Sequence, residues 1–522
     1  MSKPNRLSAW TPLIAAAMFI LGFLAGDLVN RENGPTAAQK KFQTILNLVR
    51  NEYVDEVDLD SLIEKTIPSL LTNLDPHSAY IPASDLQAVN EDLDGSFSGV
   101  GIQFMIDNDT IKVLEVIPGG PAEKVGVIPG DRIIKVDGED VAGVGITQEK
   151  VLKTLRGEKN SKVQLQIKRS NSKKPLTYTV TRGDIPVNTV DATYIASPGI
   201  GYIKVNKFGR TTYDEFFQGL SKLRREGAED FIIDLRGNTG GYMDPAIMMV
   251  NEFLPAQSTI VATHGRDERE NTIVVSDGTG RFDDVPLVVL IDEFTASSSE
   301  IFSGAVQDND RGLIVGRRSF GKGLVQRSFE LPDSSELRLT VQRYYTPSGR
   351  CIQKGFARGE NEAYEAEIFE RYDHGENFSA DSVAIDSADV YYTSAGRAVY
   401  GGGGIMPDVF VASDTTGINK FYIELANANL LARFAFEYVD LNRQDLNKAA
   451  NVKELLEMLP SDSVLLSAFA TYARQSGVRM RYYYLNNSRR LIVRQLKALI
   501  ARDVLGSQAY FEIFNTEDPV VV

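Results

Sequence analysis

Residues 285–327 read VPLVVLIDEFTASSSEIFSGAVQDNDRGLIVGRRSFGKGLVQR, and this stretch decides how the chain folds. VPLVVLID (285–292) is a continuous apolar run, the pattern of a strand covered on both faces of a sheet. A short loop follows, and the Thr-Ala-Ser-Ser-Ser-Glu run opens a helix. Ser297-x-x-Glu300 fits a capping box, which puts Ser297 at the helix N-terminus. A hydroxyl at a strand-to-helix turn is presented outward, beside free backbone N–H groups and the positive end of a helix dipole. Ser297 is therefore either a plain N-cap or a nucleophile next to donors that stabilise an acyl-transfer oxyanion.

A serine nucleophile needs a base, and imidazoles are scarce. The chain holds three histidines, His77, His264 and His374, none of them in this segment. His77 reads as structural, and His264 and His374 fall in segments that read as loops. Lys322, set in Ser-Phe-Gly-Lys-Gly, is the local alternative. In the extended stretch after it, Lys322, Leu324 and Gln326 alternate onto one face, so Gln326 can orient the amine. A lysine acts as a base only when neutral. Its pKa must fall from about 10.4 toward 7, a cost of roughly 4.6 kcal/mol at about 1.36 kcal/mol per pH unit. Full burial supplies a change of that size. The pattern thus demands a desolvated Lys322 without a carboxylate partner; otherwise it is a surface lysine in a glycine turn.

DLRGNTGGYMDP (234–245) follows a second apolar strand, FIIDLRG (231–237). It lacks the Gly-Lys-Ser/Thr ending of a phosphate loop, which argues against nucleotide binding. It is either a plain tight turn or the source of a second oxyanion donor, the N–H of Gly240 or Gly241.

Working outward, residues 190–345 alternate strands and helices, a layered α/β texture. Residues 36–92 look helical, with Phe42, Ile45, Leu46 and Val49 at helical spacing. From 94 to 183 short strands alternate with Gly and Pro turns around one helical segment, ITQEKVLKTLRG (146–157). Residues 355–400 are acidic and tyrosine-rich without a period and read as an insertion or surface loop. The last hundred residues are helical again, with Leu485, Ile492, Leu496, Leu499 and Ile500 near helical spacing. Their amphipathic faces build an internal core or an interface for a homo-oligomer.

Of 522 residues, 43% are apolar and 24% charged, as in globular proteins, and the net charge is −14. That balance argues against nucleic acid as a partner. The single cysteine, Cys351, permits no intramolecular disulfide and no cysteine-rich metal site. Trp10 to Gly26 is apolar, preceded by Lys3 and Arg6. At about 1.5 Å per residue it spans roughly 26 Å, the short end for a bilayer. Basic residues before it place the N-terminus in the cytoplasm. The expectation is a single-pass cell-membrane anchor with the catalytic part in the periplasm or outside; a cleaved signal and a soluble periplasmic protein is the alternative.

The 295–326 segment resembles the signature of the C-terminal processing (tail-specific) peptidases, which are Ser/Lys proteases. Their pattern is Ser-Ala-Ser-Ala-Ser-Glu followed by Phe-Gly-Lys-Gly-x-Val-Gln, with the nucleophile 25 residues before the lysine. That spacing from Lys322 selects Ser297 over Ser298 and Ser299. The resemblance implies Lys322 as general base, Gln326 as its orienting partner, and backbone N–H groups of Ser298 and of Gly240 or Gly241 as the oxyanion hole. Thr295 and Ser298 depart from the usual Ser and Ala; a changed side chain at 298 is expected to matter little if only its N–H is used. NLDPHSAYI (73–81), DLRGNTGG and GGGGIMPD extend the resemblance over residues 36–411.

Residues 94–183 resemble the PDZ domain of the same family. SGVGIQF (98–104) is similar to its carboxylate-binding loop, which makes Gly99, Val100, Gly101 and Ile102 the candidates for holding a substrate tail. The implied architecture is a layered α/β protease core (ClpP/crotonase-like) over 184–415 with the 355–400 insertion. An inserted PDZ β-domain spans 94–183, a helical N-terminal region 36–93 after the segment 1–35, and a helical extension 416–522. The implied activity is serine endopeptidase on exported proteins with free apolar C-terminal tails, without metal or cofactor. A non-catalytic PDZ adaptor would require loss of the serine, lysine or glutamine, and all three are present. An acyl-CoA-type enzyme of related shape would need a coenzyme pocket, for which the sequence carries no mark.

Overall fold

A computed structural model describes residues 35–170, 172–383 and 389–522. The chain divides into two compact units between Leu71 and Thr72. In the first, the helix Ala37–Glu52 opens on a reciprocal cap: Gln39 N–H donates to Thr36 Oγ1 at 3.2 Å, and Thr36 N–H to Gln39 Oε1 at 2.7 Å. The helix Leu59–Thr72 follows.

The second unit is built on a six-stranded sheet. Its order is Val190–Ser197, Ile200–Val205, Asp230–Asp234, Leu287–Ile291, Leu313–Gly316 and Val409–Phe410. The first pair is antiparallel and the rest are parallel. The two apolar runs lie side by side, Phe231 opposite Leu287 and Ile233 opposite Val289. One face buries Ile203, Val205, Ile233, Val289 and Ile291 with residues of the helices Thr212–Arg225, Met243–Asn251 and Ser298–Asp308. The opposite face buries Tyr202, Leu290, Ala192 and Tyr194 together with Phe511 and Val520. Both faces are covered, which is why the strands carry no polar alternation. Residues 507–522, from a region matched by no sequence motif, supply the second cover.

A second sheet joins Ala79–Ile81, Glu336–Tyr345, Thr259–Gly265 and Thr272–Val275, with Leu324–Glu330 paired to Glu336–Tyr345. Two readings change here. Ala79–Ile81 is a strand inside the region expected to be helical, drawn into extended form by pairing with Arg338, Leu337 and Glu336. His264 lies in a strand, not a loop, its ring 4.6 Å from that of Tyr345. The 355–400 insertion is also more ordered than its composition suggests. It contains the helix Asn361–Asp373, which buries Tyr364 and Arg371, and a hairpin of Val390–Tyr392 with Ala398–Tyr400.

Strands Ile102–Ile106, Ile111–Val116, Arg132–Val136, Lys162–Lys168 and Leu176–Thr181 form the β-domain sheet, with the helix Gln148–Leu155 against its core. The helices from Lys420 onward bury Phe434, Phe469, Leu496 and Ile500 in a core of their own. Ion pairs join them to the β-domain: Arg433 with Asp107 at 2.5 Å and Arg132 with Asp440 at 3.1 Å.

The expected single-pass location in the cell membrane is corrected. Among the described residues no helix is long and apolar enough to cross a membrane, and the Trp10–Gly26 run on which the expectation rested lies outside them.

Candidate active site

Ser297 sits between the strand Leu287–Ile291 and the helix Ser298–Asp308, with φ 57° and ψ −118°. A non-glycine residue at positive φ is strained, and surrounding bonds must hold it. They do so from both sides. Thr295 Oγ1 donates to the Leu235 carbonyl at 3.0 Å, Ala296 N–H to the Asn238 carbonyl at 3.0 Å, and Ser297 N–H to Glu300 Oε2 at 2.8 Å. Gly240 closes over the turn; a Cβ added there would stand 2.7 Å from Ser297 Cβ and 2.9 Å from the Ala296 carbonyl. Its φ of +102° already disfavours any side chain. Gly240→Ala should therefore lower kcat by roughly a hundredfold, since even about 1 Å of displacement at a nucleophile has that effect. Steady-state kinetics on the folded variant checks it; a wild-type kcat would remove the close packing as a constraint.

Lys322 follows the turn Ser319–Gly321 and enters the strand that begins at Leu324. Its Nζ donates to Gln326 Oε1 at 3.3 Å. The Gln326 Nε2 donates in turn to the His77 carbonyl, which fixes the amide with its oxygen toward the lysine. Burial holds the Lys322 amine below the ordinary lysine range, against the opposing pull of Glu300 and Asp75. Among the described residues it forms no ion pair with a carboxylate, as a base requires.

Two buried groups join the serine to the lysine. The Glu300 carboxylate accepts from Ser297 N–H at 2.8 Å, Lys322 N–H at 2.8 Å, Gly321 N–H at 2.7 Å and Ser319 Oγ at 2.5 Å. Burial pushes its pKa up to about 7, although each of these donors favours the ionised form. On the carbonyl side, the Tyr344 hydroxyl is shared between the Lys322 oxygen at 2.5 Å and the Ser297 oxygen at 3.1 Å. The backbones of residues 297 and 322 are thus tied to the same two side chains.

For the oxyanion donors the structure separates the two glycines. Gly240 N–H is engaged, donating to Asn238 Oδ1 at 2.9 Å in an Asx turn, while Gly240 Cα packs against Ser297. Gly241 and Ser298 remain, and they are linked: Ser298 Oγ donates to the Gly241 carbonyl at 2.9 Å. The Ser298 side chain thus has a bond of its own to the turn that carries Gly241, besides its backbone N–H.

Gly99, Val100, Gly101 and Ile102 stand apart from this cluster, in the β-domain. Gly101 takes φ +80°, its carbonyl accepts from Ile117 N–H at 3.0 Å, and the Val100 carbonyl accepts from Ala122 N–H at 2.8 Å. Among the described residues the strand Ile102–Ile106 that follows is an edge strand, paired only with Ile111–Val116. An edge strand beyond a glycine loop can accept an added peptide strand.

Several contributors escaped the sequence reading. Glu300 was visible only as a capping partner and Tyr344 only as a strand residue. His77, read as structural, does more: its carbonyl aims Gln326, and its Nε2 meets the Tyr364 hydroxyl at 2.9 Å. Asp75 shapes the motif, accepting from His77 N–H at 2.8 Å, Ser78 N–H at 2.8 Å and Thr340 Oγ1 at 3.0 Å. Burial and the neighbouring Lys322 charge lower the His77 pKa to about 4, so its ring is neutral at pH 7. The Asn238-x-Gly240 turn alone had a local signal, an asparagine two residues before a glycine. Among the described residues no group of three or more His, Cys, Asp or Glu side chains could hold a metal ion.

Comparison with known proteins places residues 199–358 in a match to peptidase family S41, 112–169 to the PDZ domain, and 421–506 to a family of unknown function. The carboxy-terminal-processing protease of Bartonella bacilliformis is 35% identical over 350 residues, covering 64% of this chain and 79% of that protein. The carboxy-terminal processing protease CtpB of Bacillus subtilis is 33% identical over 322 residues, covering 61% of this chain and 66% of that protein. Among solved structures, a photosystem II D1 C-terminal processing protease is 27% identical, covering 73% of this chain and 95% of its own, with a TM-score of 0.37.

Proposed function

Because this chain belongs to the carboxy-terminal processing proteases of peptidase family S41, we propose that it is a serine endopeptidase that cleaves proteins selected by their C-terminal tails, with Ser297 and Lys322 as its catalytic pair. The observation that carries this reading is the joint hold of Glu300 and Tyr344 on the backbones of both residues, with the lysine desolvated and unpaired.

Neutral Lys322 takes the Ser297 Oγ proton as Oγ attacks the scissile carbonyl. The resulting oxyanion is held by the N–H groups of Ser298 and Gly241, at the N-terminus of the buried helix. Lys322 then passes its proton to the leaving amine, and an acyl-enzyme on Ser297 remains. Water, deprotonated by the same amine, releases the new C-terminus and restores the hydroxyl. Gln326, aimed by the His77 carbonyl, accepts from the lysine throughout and keeps it from turning away.

The substrate tail adds a strand beside Ile102–Ile106, its terminal carboxylate lying on the backbone of Gly99, Val100 and Gly101. Apolar end residues suit this edge, because Ile102 and Phe104 of the edge strand and Val116 of the strand beside it are partly buried apolar side chains. Two versions of one unfolded substrate test this, one ending in free valines and one with its C-terminus amidated. Amidation should raise KM roughly tenfold or more, the loss of charge-assisted hydrogen bonds. Equal cleavage of both would overturn tail selection.

A further inference from the structure

The sheet that carries the serine has a second face, and what covers it reaches the oxyanion turn. Val520 is 9% exposed and packs among Ala192, Tyr194, Tyr202 and Leu290. Asn515 Nδ2 donates to the Tyr194 hydroxyl at 2.9 Å, and the Tyr202 hydroxyl donates to Asp234 Oδ2 at 2.7 Å. Beside them, Arg236 Nη1 donates to Asp518 Oδ2 at 2.8 Å, while Asp518 Oδ1 accepts from Val520 N–H at 2.9 Å.

Asp518 brings a second carboxylate directly onto Arg236. Asp234, 1% exposed, faces both Lys204 at 3.2 Å and Arg236 at 2.5 Å. Asp191 and Asp292 also act on Lys204, but Arg236 would be left to share Asp234 with Lys204, and a weakly compensated cation in a largely desolvated cluster is costly. Asp518 supplies the second carboxylate, with its own side chain 12% exposed. Arg236 in turn opens the segment 236–241. Gly237 N–H donates to Asp292 Oδ1 at 2.9 Å, the Asn238 carbonyl accepts from Ala296 N–H at 3.0 Å and Ser299 Oγ at 3.0 Å, and the Gly241 carbonyl accepts from Ser298 Oγ at 2.9 Å. Residues 237, 238 and 241 of this turn thus bond to the loop and first helical residues on either side of Ser297.

We propose that Asp518 is a positioning residue of the peptidase: by pairing with Arg236 it holds the 236–241 turn, and with it the Gly241 N–H, in register with Ser297. The proposal rests on the peptidase reading for its kinetic consequence, and it gives the helical extension a part in catalysis. Without Asp518, Arg236 relieves its excess charge by moving toward solvent, and the turn follows.

The test compares full-length wild type, Asp518→Asn and Asp518→Glu. For Asp518→Asn, kcat should fall roughly tenfold with KM little changed, because the displaced group serves the transition state and not the tail. Asp518→Glu, which keeps the charge, should recover most of that loss. Hydrogen exchange reads the same contact without turnover: the amides of 237–241 should exchange roughly tenfold faster in Asp518→Asn, with the helices of 430–505 unchanged. Unaltered exchange at 237–241, acceleration spread evenly through the unit, or an equal loss in Asp518→Glu would each overturn the proposal. A wild type that cleaves no tail-bearing substrate would refute the peptidase reading, while the exchange comparison would still decide whether Asp518 holds the turn.

Discussion

Ser297→Ala and Lys322→Ala should each lower kcat by roughly 10⁴-fold or more, with the double variant no worse than either alone. Residues that act as one unit behave this way, because removing either member ends nucleophilic catalysis and leaves only binding and oxyanion stabilisation. Lys322→Arg should be equally inactive, since a guanidinium keeps its proton at any pH the protein survives. The wild-type pH profile follows from the direction of the Lys322 shift. The neutral amine is the active form, so kcat/KM rises with pH through the pKa of Lys322. Burial places that rise below the ordinary lysine range.

The same shift has a sign for stability. Between the lowered folded value and the ordinary one, the unfolded chain keeps a proton that the folded protein gives up, so this group's contribution rises with pH. Lys322→Met, free of that cost, should melt higher than wild type at neutral pH while remaining inactive. Single-turnover cleavage and thermal melts of the five variants measure both effects. Retention of more than a tenth of wild-type activity in either alanine variant would sink the pair as assigned.

Glu300→Gln is the second large loss, about a hundredfold in kcat. The carboxylate offers two oxygens to four donors, three of them backbone N–H groups. An amide offers one oxygen, and in either orientation its NH₂ group meets at least one backbone N–H, which has no lone pair to accept it. Leaving buried donors unmatched costs about 1–3 kcal/mol each, and about 2.7 kcal/mol in the barrier is a hundredfold in rate. Since the carboxylate holds Ser297 and Lys322 through Oε2 and Gly321, next to Lys322, through Oε1, the effect should appear in kcat with KM nearly constant.

The pH dependence separates this role from simple structural damage. Burial raises the Glu300 pKa to about 7 from an ordinary value near 4.5. Between those values the folded state binds the extra proton, so this group's contribution to stability falls as pH rises from 4.5 to 7, while the geometry of the pair needs the ionised form. Wild type should therefore lose activity as pH falls through about 7, in addition to the limb from Lys322. Glu300→Gln should keep the lysine limb and lack the other. Superimposable profiles for the two proteins would remove Glu300 from the titration.

The legible part of the site was local. Ser297 stood at a strand-to-helix turn marked by an apolar run and a capping pattern. Lys322 and Gln326 shared a strand face by simple alternation, and the strands 231–237 and 285–292 announced burial on both sides. The illegible part was relational. Glu300 announces itself as a cap to a residue three positions away, but its bonds to Gly321 and Lys322 cross more than twenty residues. The His77 carbonyl reaches Gln326 from a motif near the other end of the domain, and a main-chain acceptor leaves no side-chain signature. Tyr364 arises from an insertion whose composition suggested a loop, because tertiary packing overrode its weak local preference.

By itself, the sequence determined the kinds of groups present and the elements that carry them: a hydroxyl at a helix start, an amine and an amide on one strand face, glycines at the turns, and too few histidines for another base. Periodicity and capping act over a few residues, so these features are written in adjacent positions. Only the tertiary structure decided which groups meet. It engaged Gly240 and left Gly241, joined residues 297 and 322 through one carboxylate and one phenol, and brought Asp518 to Arg236. Alternation and helical spacing specify a face, whereas the partner across that face is chosen by packing between segments hundreds of residues apart.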